Sequence, residues 1–252
     1  MHSFFRRCTL FFTNNTAHVY PYINKMSIDI AAIGAQKVKG IPSGESVELK
    51  SFWQDQDTVI IFFRRWGCVF CRLWAKELAE IAPVLKKHDI KLVGVGVEEV
   101  GAKDFIDGNF FDGDLYYVED LSTYRNLGFK RFNTVSILTS LFWKQSRDAM
   151  SKGKTMDLGG DLKGDWVQTG GALLVKKGGE VAKHFVQTGP AEHYPNKDIL
   201  QAFGLEHEYN PETMANKKPD ENACPRRNPN FWQKLHSIWA ERRCKRKINL
   251  TQ

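Results

Sequence analysis

The chain has 252 residues, a formal net charge of +7, 42% hydrophobic residues and five cysteines. That length holds one sizeable domain or two small ones without disulfide staples. A mean hydropathy of −0.41, with no apolar run near twenty residues, excludes a transmembrane helix, and an odd, sparse set of cysteines is not the pattern of a disulfide-rich secreted module.

The charge is uneven. Residues 1–25 carry Arg6, Arg7 and Lys25 and no acid, and residues 206–252 carry ten basic against six acidic side chains. Residues 26–205 balance at 23 of each sign. The chain therefore divides into an N-terminal extension (1–25), a neutral domain (26–205) and a basic tail (206–252). A nucleic-acid surface is not expected of the neutral part. In the extension, the apolar cluster Thr9 to Thr13 is too short and too polar for a secretory signal. The segment reads as an extended terminus, with a composition that also fits a mitochondrial transit peptide. The sequons at Asn14 and Asn249 matter only in a secreted chain.

Within the domain, strand and helix patterns alternate. Thr58 to Phe63 is a continuous apolar run, as in a strand buried on both faces. From Cys71 to Lys87, Leu73, Trp74, Leu78, Ile81, Ala82 and Leu85 give one helical face, with Pro83 expected to kink or reset it. Lys91–Val97 predicts a second strand, Gly101–Asp107 a short helix and Leu115–Val118 a third strand. Asp120 or Ser122 can cap a helix that Gly128 ends. Leu141–Met150 is helix-like and is followed by a glycine-rich loop. Val167–Lys176 and Glu180–Gln187 predict antiparallel strands across Gly178-Gly179, and Pro195–Phe203 a closing helix before Gly204. This order predicts an α/β sandwich with a mixed central sheet and flanking helices.

Cys68 and Cys71 fall between the first strand and the following helix. At that turn, free backbone N–H groups and the positive helix end favour a thiolate on Cys68. Arg64, Arg65 and Arg72 add charge that acts in the same direction. Cys71, in the first helical turn, is placed to attack an oxidised Cys68, which suits a dithiol–disulfide cycle. A Cys-x-x-Cys can also be half of a zinc site, but a structural zinc needs four ligands, and Cys8, Cys224 and Cys244 all lie in the terminal segments. Two inert buried cysteines are the remaining alternative. The seven histidines form no ligand cluster, and His184 reads as a strand histidine. Gly94-Val95-Gly96 lacks the third glycine of a dinucleotide fingerprint, since Glu99 stands there, so direct NADPH binding is not expected.

Thr58 to Leu85 resembles the first βα unit of a thioredoxin-like fold. Met26 to Ala31, Arg64 to Arg72, Lys91 to Gly96, Leu127 to Asn133, Gly164 to Gly171 and His184 to Gln187 resemble the peroxiredoxin-like family that includes the prostamide/prostaglandin F synthases. The resemblance runs from about residue 26 to 205. It implies a cytoplasmic oxidoreductase that reduces prostaglandin H and prostamide H endoperoxides through Cys68 and Cys71. It also implies electrons from thioredoxin, drawn ultimately from NADPH through thioredoxin reductase, with no bound cofactor or metal. The alternative is a redox-regulatory thiol protein or general peroxide scavenger. Ordinary peroxiredoxins carry a Thr-x-x-Cys motif, and Arg65 occupies its Thr position here. The sequence also has no proline between Pro83 and Pro190 to act as the cis-proline of thioredoxins; the turn Gln168-Thr169-Gly170-Gly171 either faces Cys68 in its place or is a strand start whose glycines allow close backbone approach. Arg65 or Arg72 is expected to stabilise a departing alkoxide.

In the tail, Asn228 can cap an amphipathic helix bearing Phe231, Trp232, Leu235, Ile238 and Trp239, followed by Arg242 to Lys247. A membrane-surface or partner contact, a nuclear signal or an unstructured terminus all fit that pattern.

Overall fold

The computed structural model describes residues 28–133, 139–161 and 163–212. The extension and the predicted tail helix lie outside these residues. Helix α1 (Ile30–Gly34) is capped by Asp29, whose carboxylate accepts from the Ala31 and Ala32 N–H groups. It leads into a hairpin of β1 (Lys37–Ile41) and β2 (Ser46–Glu48), then a 3₁₀ turn over Leu49–Phe52. The remaining elements are β3 (Thr58–Phe62), α2 (Val69–Lys87), β4 (Lys91–Gly96), α3 (Ala102–Asp107), β5 (Asp114–Val118) and α4 (Ser122–Asn126). They are followed by α5 (Lys144–Thr155), β6 (Gly171–Val175), β7 (Val181–Val186), α6 (Asn196–Ala202) and a 3₁₀ turn at Glu206–Glu208.

The strands form one sheet in the order β2-β1-β5-β4-β3-β6-β7. β3, β4 and β5 run parallel, while β1, β6 and β7 pair antiparallel with their neighbours. This mixed sheet with helices on both faces is a thioredoxin-like sandwich. β3 lies inside it, and all five of its residues are buried. Its side chains alternate between two cores. Val59, Ile61 and then Phe63 join Leu73, Trp74, Leu78, Ile81 and Leu85 of α2. Ile60 and Phe62 face Ile33, Phe52, Tyr124 and Phe129 on the other side.

Three expectations are corrected. The α2 helix runs unbroken through Pro83 to Lys87. Pro83 is on the exposed face, so the Ala79 carbonyl it leaves without an N–H donor can be solvated. The helix after residue 140 starts at Lys144 and extends to Thr155, because Thr139 to Trp143 form a turn of their own. Only Gly171–Val175 of the segment 167–176 joins the sheet. Just before it the backbone crosses the end of β3, where a Cβ on Gly170 would lie 2.0 Å from the Phe62 carbonyl oxygen. Gly94 and Gly96 sit within β4, and a Cβ on Gly96 would lie 2.2 Å from the Trp66 ring. These glycines make room for aromatic rings. Among the described residues no helix is long and apolar enough to cross a membrane.

Candidate active site

Helix α2 begins where β3 ends. Phe63 still donates to the Val95 carbonyl, and five residues later Cys68 is the helix N-cap, with φ −79° and ψ 123°. The Cys68 N–H closes back on the Arg65 carbonyl, and the Cys68 carbonyl accepts the Arg72 N–H at 2.9 Å. The loop is tight at Gly67, where a Cβ would lie 2.2 Å from Asp161 Oδ1. Cys71 is the third residue of the helix. Both cysteines are free thiols, and both are buried.

The two sulfurs are unequal. The Cys71 thiol donates to Cys68, and this bond, with the Arg64 and Arg65 charges, holds the Cys68 pKa well below the ordinary thiol value against the effect of burial. Cys71, the donor in that bond and buried beside a negative sulfur, is pushed well above it. Negative charge is therefore favoured on Cys68 and disfavoured on Cys71.

The three arginines have different places. Arg64 donates from Nε to the Gln168 carbonyl at 3.0 Å, from Nη2 to Trp166 at 3.1 Å and from Nη1 to Pro190 at 3.5 Å. Its Nη1 also lies 3.9 Å from the Cys68 sulfur. Arg65 donates to the Lys163 carbonyl and lies 3.8 Å from Asp161. Arg72 donates to the Trp66 and Leu158 carbonyls, lies 3.7 Å from Asp161 and stacks its guanidinium over Phe110. Arg64 and Arg65 border the cavity described below, and Arg72 does not. Arg72 therefore braces the loop and does not line the cavity.

The turn at 168–170 is linked to Cys68 through Arg64. The Gln168 carbonyl holds that guanidinium, while its side-chain amide donates to the Lys130 and Phe129 carbonyls. The Thr169 N–H pairs with Lys130, and the Gly170 N–H with Gln187 Oε1 at 3.0 Å. None of the three residues borders the cavity, and the tight approach of Gly170 and Gly171 to the Phe62 and Phe185 carbonyls is that of a strand start whose glycines admit neighbouring backbone. Asp161, which sequence reading passed over, bridges Arg65 and Arg72 and ties the loop to Gly67 through its own N–H. The only signal for it was a lone acid after Gly159-Gly160.

A cavity of about 880 Å³ opens over Cys68. Val69, Phe70, Leu141, Met150, Trp166 and Pro190 give it an apolar wall, and Arg64, Arg65, Lys154, Asp157 and Asp161 supply its charges. This size suits a small-molecule ligand with both apolar and charged parts. His184 is half-buried in β7, where burial lowers its pKa, and it does not border the cavity. Among the described residues no group of three or more metal-ligating side chains comes together. The arrangement can bring a thiolate, a resolving thiol and a guanidinium against an electrophilic atom held in an apolar pocket.

Residues 77–189 match the family described as AhpC/TSA antioxidant enzyme, a stretch that begins inside α2 beyond both cysteines. Prostamide/prostaglandin F synthase of Xenopus laevis is 44% identical over 180 residues, covering 71% of this chain and 90% of its own. The Bos taurus protein of that name is 42% identical over 201 residues, covering 79% and 99%. The Homo sapiens protein is 43% identical over 183 residues, covering 72% and 92%. With that identity spread over nearly the full length of these relatives, and with two free cysteines at the head of α2, the chain belongs to the prostamide/prostaglandin F synthase family of peroxiredoxin-like oxidoreductases.

Proposed function

We propose that this protein reduces the endoperoxides of prostaglandin H and prostamide H to the F-series diols, with thioredoxin as electron donor. The observation that carries this reading is a low-pKa cysteine, hydrogen-bonded by a second thiol, in the wall of a large apolar cavity. The Cys68 thiolate attacks one oxygen of the O–O bond, which breaks, and the departing alkoxide takes a proton. Cys68 is left bonded to the other oxygen as a sulfenate ester. Cys71, deprotonated in turn, attacks the Cys68 sulfur and expels the second alkoxide, which is protonated to complete the diol. The two electrons gained by the substrate leave a Cys68–Cys71 disulfide.

A reduced thioredoxin restores the dithiol by exchange, and NADPH recharges thioredoxin through thioredoxin reductase. No nicotinamide is bound by this chain in the scheme. Arg64, at 3.9 Å from the sulfur, is the cation nearest the reacting atoms, and Arg65 stands next along the border. Such fixed charge stabilises an alkoxide most effectively where water is excluded. A resting dithiol requires a reducing compartment, and the cytoplasm is the location proposed.

NADPH consumption with thioredoxin, thioredoxin reductase and prostaglandin H tests the scheme. Cys68→Ser is expected to lower turnover by about a thousandfold or more. Turnover that survives this substitution removes Cys68 as nucleophile. Reversible oxidation of the pair without endoperoxide turnover favours a redox-regulatory protein.

A further inference from the structure

The cavity has chemically different sides. Beside the sulfur, Arg64 is engaged by three backbone carbonyls and Arg65 shares Asp161 with Arg72. On the facing side α5 contributes Met150, Gly153 and Lys154. Gly153 allows α5 to approach, because a Cβ there would lie 2.6 Å from Val69 Cγ2. The next residue, Lys154, is thereby set at the cavity border. Lys144 and Lys152 of the same helix are paired with Asp148 and Glu77. Lys154 is exposed and, among the described residues, its ammonium has no ion-pair or hydrogen-bond partner. Asp157 also borders the cavity, but with Arg64, Arg65, Lys154 and Asp161 the border holds three cations against two carboxylates.

We propose that Lys154 binds the carboxylate of an amphiphilic substrate whose O–O bond lies at Cys68, so that the cavity takes the fatty acid form in preference to its neutral amide. The inference rests on the endoperoxide reading above and deepens it. Prostaglandin H ends in a carboxylate, and prostamide H carries an uncharged ethanolamide in its place. The apolar wall accepts either chain, and Lys154 is the group that tells their ends apart. An ion pair at an exposed rim contributes modestly, so the discrimination is a matter of several-fold.

The experiment compares the full-length wild type with Lys154→Met and Lys154→Arg on both endoperoxides. In Lys154→Met, kcat/KM for prostaglandin H falls about fivefold through KM, while prostamide H constants move by less than about twofold. Lys154→Arg keeps the wild-type ratio. Equal changes on both substrates, or no change on either, overturn the proposal. If the wild type turns over neither endoperoxide, the reductase reading falls and calorimetric binding of arachidonate and arachidonoyl ethanolamide decides the anion site. A preference for the acid that Lys154→Met erases upholds Lys154. Equal binding of the two by the wild type, or a preference that survives the substitution, overturns it.

Discussion

The cavity wall that carries Cys68 grows out of the middle of the sheet, whereas the wall opposite comes from residues outside any strand. β3 is paired on both edges and buried throughout, and the thiol follows six residues after its end. The facing wall, α5 and the loop through Trp166, hangs on α2 by discrete contacts: Gly153 against Val69, Arg72 to the Leu158 carbonyl, and the Asp161 N–H to Gly67. The sheet thus fixes the nucleophile, and helix packing around Leu158, joined by a few polar contacts, fixes the space for substrate. The two walls should therefore respond separately to substitution, with Arg64 as the residue that belongs to both.

Arg64→Leu is expected to have the largest effect because it disturbs both walls. The Trp166, Gln168 and Pro190 carbonyls lose their donor, and stability falls by about 2–4 kcal/mol in urea denaturation. Arg64→Lys keeps the charge but cannot span three carbonyls, so it recovers only part of the loss. A drop below about 0.5 kcal/mol for the leucine variant would mean that the walls do not depend on this side chain.

Cys71→Ala acts on the first wall alone. Alkylation of Cys68 by iodoacetamide follows the thiolate, so the wild-type rate is high above the depressed Cys68 pKa and falls as pH drops through it. Removing the Cys71 donor moves that midpoint upward, toward the ordinary thiol value of about 8.5. Mass spectrometry of the Cys68 peptide measures the shift, and an unmoved midpoint would assign the depression to the arginines instead.

Asp161→Asn, confined to the facing wall, is the mildest. It keeps an acceptor for the Lys163 N–H but weakens ion pairs at 3.8 and 3.7 Å, for a stability loss of at most about 1 kcal/mol. KM should rise while the Cys68 alkylation midpoint stays in place. A shifted midpoint would show that the walls are electrostatically coupled.

The same division governs how much was legible in the sequence. Thr58 to Phe63 and the α2 face carry dense, regular apolar patterns, so the strand–turn–helix placement of Cys68 could be read directly. The β1–β2 hairpin could not. β2 has three residues, and Lys37, Lys39, Ser46 and Glu48 leave too little alternation to register. Arg64, Arg65 and Arg72 are equivalent by spacing. They are told apart by partners about a hundred residues away, among them Leu158, Asp161, Gln168 and Pro190, and local patterns hold no information at that range. Strand–turn–helix placement identified the cysteines, and family resemblance supported them, but neither offered a signal for Asp161 or Lys154.

Helix α2 also separates the reaction from the end of the described chain. Its last turn is joined to Glu208 through Lys87 and His88, while its first turn holds the thiols. Nineteen residues at 1.5 Å each put roughly 28 Å between those points. A fluorophore attached beside Glu208 therefore sits at the far end of α2 from the cavity over Cys68. Such a label would leave the mouth of the cavity open.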